Sequence, residues 1–315
     1  MTIWLETIDQ KRLACREILS CEITAALDAA CDSLRVWLHL PDAPGEVVRI
    51  QAEADGQLLF SGLTDRQTAQ YDENGFRCFF YARSEAAVLV DNEAEPMTLY
   101  CPGTDSVLAL TAAPFGFTSS LAPAALQVSF DVTKGMSLYA VLSEFYWAAT
   151  GKDIWIDSEK CIHPAEPGAL YSFAPDTVLQ ARAIINRAEP ISTVDYKSDG
   201  DTAYSRHCKS LLAEEAGIRR TRKISLNGTP VWLRKNKAAR WIQTAINGYM
   251  QAELTLKGLA PAQLCGRVEL NSEPLGLSGT YAIQEINRRI TQSGSVTELR
   301  LGKICNAKEM HYVDQ

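Results

Sequence analysis

The amino-acid sequence predicts an α+β, mainly β protein: two related small β-barrel modules flanking a mixed α/β middle region. Three observations predict it. Residues 33–40 alternate with period 2, so Leu34, Val36, Leu38 and Leu40 share one face. Hairpin signals recur between short apolar runs, Asp55-Gly56 above all. The order of strands, turns and glycines near the N-terminus returns near the C-terminus.

Residues 16–40 read as two strands around a small-residue connection, ended by Pro41-Asp-Ala-Pro-Gly45. A strand over 47–54 turns at Asp55-Gly56 into Leu58-Leu-Phe-Ser-Gly62. The chain stays extended over 63–71, turns at Asp72-Glu-Asn-Gly75 and returns over 76–82. Ser84 suits the cap of a short helix over 85–91, and 104–113 reads as a second, closed by Pro114-Phe-Gly-Phe117. Residues 118–130, rich in Ser, Ala and Pro, read as a linker. After Ser137 as cap, Leu138, Val141, Leu142, Phe145 and Ala149 form an amphipathic stripe, and Gly151 sits where a C′ glycine belongs. Ile154–Ile156 is a short strand, 205–216 a helix ended by Gly217, and 236–250 the last helix. Strands over 252–257, 266–270, 279–286 and 296–301 complete the chain. The expected domains are 1–120 and 234–315 for the two β-modules, with 121–233 between them.

The repeat runs strand, proline-bearing turn, glycine, strand, Leu-x-x-Ser-Gly or its equivalent, long hairpin, strand. It spans 33–82 in one copy and 252–301 in the other, and it aligns Gly62 with Gly279. Glycine after serine at a strand bend permits a bulge or a close backbone approach.

Hydrophobic residues make up 46% and charged residues 22%, which is globular composition and excludes collagen-like or disordered chains. A net charge of −7 argues against a dedicated nucleic-acid binder. With no basic and apolar leader pattern at Met1–Asp9 and no run of 18 apolar residues, neither secretion nor membrane insertion is expected. The nine cysteines are irregularly spaced without Cys-x-x-Cys, so they read as small hydrophobes of a reduced chain.

A search for chemistry returns little. Of the four histidines, only His163 (in Cys161-x-His163) and His207 (beside Cys208) lie near a cysteine, and neither has a second ligand pair close in sequence. No metal site, cofactor or catalytic residue is expected. Neither a Gly-x-Ser-x-Gly elbow nor a Walker loop occurs, and Asp195–Asp201 lacks the length of a calcium loop. One charge run stands out. Arg219, Arg220, Arg222, Lys223, Arg234, Lys235, Lys237 and Arg240 occur with no acid between Ala216 and Ala252, and Trp232 and Trp241 lie among them. Eight basic residues against a net −7 leave −15 on the rest of the chain, so pairing with acidic residues of a neighbouring subunit is expected more than nucleic-acid contact.

The ordered motifs resemble the baseplate hub proteins of phage tails, tailocins and related contractile injection systems. Asp55-Gly-Gln-Leu-Leu-Phe-Ser-Gly-Leu-Thr-Asp65 is similar to that family's strand ending in glycine, and Tyr71-Asp-Glu-Asn-Gly-Phe76 to its hairpin. Arg83-Ser…Asn92…Pro96, Ala113-Pro-Phe-Gly-Phe117, the helix after Lys134 and Ser278-Gly-Thr-Tyr-Ala-Ile-Gln-Glu-Ile286 follow in the family's order. The resemblance implies a virion structural protein of the tail tip or baseplate, assembled in the host cytoplasm. It implies a homotrimer, a symmetry adaptor between a sixfold tail tube and a threefold central spike, touching other baseplate proteins and the tape measure, with DNA passing its channel in a phage. The candidate interface residues are Gly62, Asp65, Gly75, Arg83, Gly279 and Tyr281 on the two arms, and Arg219, Arg220, Arg234 and Lys235 in the basic run. Two other classes stay open on the residues alone: a tail-associated cell-wall hydrolase, and a carbohydrate- or nucleic-acid-binding β-module.

Overall fold

The computed structural model describes residues 1–73 and 75–303. Asn74 of the first hairpin turn, Cys305 and His311 lie outside the described residues. The protein is α+β and mainly β, and most of its strands join one 13-stranded sheet.

The first copy of the repeat contributes β1 (Ile18–Ala26), β2 (Ser33–His39), β3 (Val47–Ala54), β4 (Gln57–Asp72) and β5 (Gly75–Ser84). The second contributes β6 (Val178–Ile185), β7 (Met250–Lys257), β8 (Arg267–Ser272), β9 (Leu277–Thr291) and β10 (Gly294–Lys303). Neighbours in the first copy run β1-β2-β5-β4-β3, and in the second β6-β7-β10-β9-β8. The pairings match strand for strand. Val36 faces Phe80 as Leu254 faces Leu299. Ile50 faces Gly62 as Val268 faces Tyr281. Two irregularities coincide, one extra residue at Leu19 in β1 and at Leu179 in β6, and one at Asp65 in β4 and at Gln284 in β9, while a third, at Leu59 in β4, belongs to the first copy alone. An extra residue sharpens twist and re-aims a strand, so matched bulges give the two modules matched bends.

The observed register corrects the sequence alignment of the arms. Gly62 is the counterpart of Tyr281, not of Gly279, and the arms from these two positions to the turn glycines Gly75 and Gly294 are then equally long. The serine-glycine pair misled the alignment because the two glycines do different work. A Cβ at Gly62 would lie 2.1 Å from the Arg83 carbonyl oxygen, whereas Gly279 has open space around it and a φ of +111°. One is demanded by close packing, the other by backbone conformation.

Alternation buries one face of each copy. Ile3, Leu5, Ile23, Leu34, Val36, Leu38, Ile50, Phe60 and Phe80 form the first core, and Leu254, Leu256, Val268, Ile283, Ile286, Leu299 and Leu301 the second. Leu34 faces Ala82, and its counterpart Ala252 faces Leu301, so large and small side chains are exchanged across the strand pair. The pair keeps its volume, which is what a close-packed interior requires.

Two further layers are built from the chain between β5 and β7. Helix α1 (Thr104–Thr111) and helix α2 (Leu138–Thr150) pack with the strands Ile154–Ile156 and Cys161–Pro164. The Ser137 hydroxyl accepts from the Ala140 amide at 3.1 Å, and Gly151 closes α2 at φ +75°, as the capping pattern predicts. A small sheet of Arg206–Lys209, Thr193–Lys197 and Thr221–Ser225 packs on helix α3 (Val231–Asn247). The expected helix over 205–216 is a strand followed by a short helix, Leu211–Glu215. Ser210 caps that helix, and pairing with Asp195 holds His207 extended. Helix α3 begins five residues earlier than its stripe predicts, because Pro230 starts it without needing an amide donor.

Candidate assembly interface

Where the two copies meet, the long sheet is continuous. The far half of β9 pairs antiparallel with β1, from Glu285 opposite Ala26 to Thr291 opposite Ser20. One edge of β9 therefore serves two partners, β8 along its first half and β1 along its second. Ile286, Arg288, Cys21 and Ile23 are buried at this junction. On its other face Arg289 pairs with Glu22 at 3.2 Å and with Glu298 at 3.2 Å, and Asn287 donates to Glu22 at 3.0 Å. These hydrogen bonds hold the Glu22 carboxyl below its usual range, Asn287 contributing most.

The equivalent edges are open. In the first copy β3 covers β4 only as far as Leu63. Among the described residues no strand pairs with that edge of Arg66–Asp72, nor with the outer edge of β6, which bonds only to β7. Exposed apolar side chains gather there: Tyr71 is 81% exposed, Leu179 57% and Ile185 63%. Unpaired strand edges with apolar neighbours are what soluble monomers avoid.

The sequence-predicted interface residues fall in two places. Gly62, Asp65, Gly75 and Arg83 lie on the β4–β5 hairpin, and Gly279 and Tyr281 on β9. At the bulge, Arg83 grips Asp65 with two hydrogen bonds (2.6 and 3.0 Å) and Asp91 with two more (2.9 and 2.7 Å). The fork raises the Arg83 pKa, its bonds to Asp91 the largest cause, and holds the Asp91 carboxyl low. It ties the root of the arm to the short helix Ala87–Asp91. In the second copy Arg83 is replaced by Gly302, and the Gln284 amide fills the space a side chain there would need. Gly75 turns the hairpin at φ +92° against the His39 ring, and Tyr281 is buried.

The basic run lies elsewhere, on the small middle sheet and α3, and three of its arginines are held inside the chain. Arg220 bonds the carbonyls of Ala188 and Pro190, Arg234 bonds the Thr229 carbonyl at 2.7 Å, and Arg240 pairs with Asp153 and stacks on Trp147. Arg219, Arg222 and Lys223 stay exposed. Sequence reasoning took the run as one patch because strand and helix positions cannot be separated by charge alone.

Two groups escaped the sequence reading. A cleft of about 460 Å³ opens where the β3–β4 turn, Trp155–Glu159 and Pro261–Leu264 meet. Asp32 and Arg288 line it. Burial pushes the Asp32 carboxyl up to about 7 and lowers the Arg288 guanidinium, whose Nη2 donates to the Ala262 carbonyl at 2.7 Å. At the edge of the cleft, Asp157, Cys161 and His163 converge within seven consecutive residues.

Comparison with solved structures finds this fold, a continuous sheet built from two like-paired modules with a mixed middle region, in phage tail proteins. The 43 kDa tail protein of prophage MuSo2 from Shewanella oneidensis superposes with a TM-score of 0.79 at 15% identity, over 96% of this chain and 98% of that one. The tail protein from Neisseria meningitidis MC58 does so at 0.75 and 16% identity, over 96% of each chain. The E. coli c3393 protein, a type VI secretion component described as similar to the T4 tail proteins gp27 and gp5, matches at 0.59 and 9% identity over 95% of this chain and 76% of that one. No family model matches the sequence. No curated protein matches it either.

Proposed function

We propose that the chain is the structural baseplate hub of a phage tail or phage-tail-like particle. In this reading it is a homotrimeric ring that adapts a sixfold tail tube to a threefold central spike and lines the channel between them. The observation that carries the reading is the pair of open edges. Applying the internal β9–β1 junction to the open edges seats β6 of one subunit on the far half of β4 of the next. Tyr71 then faces Ala181 as Ile290 faces Cys21, and Gln67 faces Ile185 as Ile286 faces Ala25. Tyr71 and Ile185 become covered, and no sheet edge is left open at the joint. Two modules per chain and three chains give six similar modules around an axis, closed by a single kind of heterologous contact.

The same reading assigns the two ends. The tips of β4–β5 and β9–β10 belong to the repeated modules and would face the sixfold tube. The middle segment packs at the opposite end, where Ser158 donates to the Leu58 carbonyl at 3.2 Å. That end would be threefold and face the spike. Segments 1–120 and 234–315 then carry the repeated modules and 121–233 the threefold part, with β6 lent to the second module. Other baseplate proteins, the tape measure and, in a phage, passing DNA are further contacts of such a ring, which would sit in the tail tip after assembly in the host cytoplasm. The role is architectural and not catalytic.

A paired-cysteine experiment tests it. Tyr71→Cys with Ala181→Cys in the full chain should give, on mild oxidation, intersubunit crosslinks ending at three chains, since opposed residues of antiparallel strands lie about 4.5–5.5 Å apart between Cα atoms. Tyr71→Cys with Gln180→Cys points one side chain to the other face and should not crosslink. Absence of the first crosslink, or a ladder running past three, overturns the closed trimer.

A further inference from the structure

We propose that Asp157, Cys161 and His163 form a binding site for a zinc-class divalent cation, with the fourth position open to water. The local chain folds so as to gather them. Ile154–Ile156 and Cys161–Pro164 form an antiparallel pair in which Trp155 faces His163. Asp157 opens the turn between them, and Lys160 closes it in the left-handed region at φ +64°. Cys161 and His163 are two apart on one strand and therefore share a face. One Asp157 carboxylate oxygen, the Cys161 sulfur and one His163 ring nitrogen lie within 4.8 Å of one another.

Each ligand is held by the atom it would not give to the ion. Asp157 Oδ1 accepts the amides of Glu159 at 2.9 Å and Cys161 at 2.8 Å, which leaves Oδ2 toward the cluster. His163 Nδ1 meets the Ser120 hydroxyl at 2.9 Å, and Nε2 faces Asp157 Oδ2 at 2.8 Å. The Trp155 ring stacks on the imidazole with centroids 4.5 Å apart. A metal site needs this outer support, which fixes the ring orientation and the tautomer. A thiolate, an imidazole and a carboxylate together suit zinc better than calcium or magnesium. Such ligands bind a metal ion in their deprotonated forms, so affinity would rise with pH.

The ion would fix the turn that joins the middle segment to the first module. Ser158 in that turn bonds the Leu58 carbonyl, and Lys160 pairs with Glu85 at 3.3 Å. The inference does not rest on the ring.

Cobalt titration of the full chain carrying Cys101→Ser, which removes an exposed thiol, tests it. One equivalent of Co²⁺ per chain should produce a thiolate-to-cobalt charge-transfer band that Zn²⁺ abolishes by displacement, and Zn²⁺ should raise Tm. Cys161→Ser, checked for folding by circular dichroism, should lose the band, and Ser120→Ala should weaken zinc binding about tenfold, as removal of an outer hydrogen-bond partner does. Absence of the band, or a band that survives Cys161→Ser, overturns the site.

Discussion

The two copies of the module share their strand order and two of their bulges yet differ in what their outer edges meet. The outer edge of the second copy's arm is closed by β1 of the first, whereas among the described residues no strand pairs with the outer edge of the first copy's arm or of the second copy's β6. Charges differ in a telling way. At the closed side Glu22 on β1 pairs with Arg35 on β2, and at the counterpart positions Arg182 on β6 pairs with Glu253 on β7. The pair is kept and its sign reversed. Such exposed pairs contribute little to stability, but reversal distinguishes the two joints, so that β1 and β6 are not interchangeable partners.

The largest expected effect breaks the open joint and leaves the closed one intact. Tyr71→Asp together with Ile185→Asp places carboxylates where the proposed joint would bury apolar groups. Both positions are exposed in the single chain, so the fold and its melting temperature should hold. Association should weaken by at least about a hundredfold, since an unpaired buried charge costs on the order of 3–5 kcal/mol. Native mass spectrometry would read trimer against monomer. Arg289→Ala at the closed joint should leave the oligomer unchanged.

A second substitution sharpens the likeness of the cores. Leu34→Ala removes a fully buried side chain and should cost about 3 kcal/mol. Adding Ala82→Leu re-creates the arrangement of Ala252 and Leu301 and should recover more than half of that loss, measured by urea unfolding. No recovery would mean that the cores agree in pairing but not in packing.

The arms separate two demands on glycine. Gly62→Ala drives a methyl group into the Arg83 carbonyl and should cost about 2–3 kcal/mol. Gly279→Ala meets no atom but strains a positive φ, and about 1 kcal/mol is expected. Thermal unfolding of the two variants side by side checks the order.

These differences explain what was legible in the sequence. Alternation at Leu34–Leu40 and the Asp55-Gly56 turn announced the strands, and the repeated order of elements announced the duplication. The register escaped because Ser61-Gly62 and Ser278-Gly279 match as letters while their backbones differ in role. β6 escaped because Val178–Ile185 carries little alternation, and only Val178 and Ala183 pack on the second core. The junction of β9 with β1 joins residues more than 250 positions apart, and no local pattern encodes such a pairing. Asp157 escaped the ligand search because it is one of many acids in the sequence, and only closure of the hairpin turns it toward Cys161 and His163.

The smallest expected effect concerns the cleft, where the two copies also differ. Arg288 on β9 is buried beside Asp32, while its counterpart on β4 is Ala69. Burial raises the Asp32 carboxyl to about 7 in the folded chain. A raised carboxylic pKa means that the folded state holds a proton the unfolded state has released. Stability from this group is therefore greatest below the unfolded value near 4 and falls as pH rises toward 7. Asp32 keeps partial exposure, which limits its desolvation, and an effect below about 1 kcal/mol is expected. Asp32→Asn should remove that slope, so the variant gains on the parent between pH 5 and pH 8 as measured by urea unfolding. An unchanged slope would place the titrating group elsewhere and leave the closed joint as indifferent to pH as the open one.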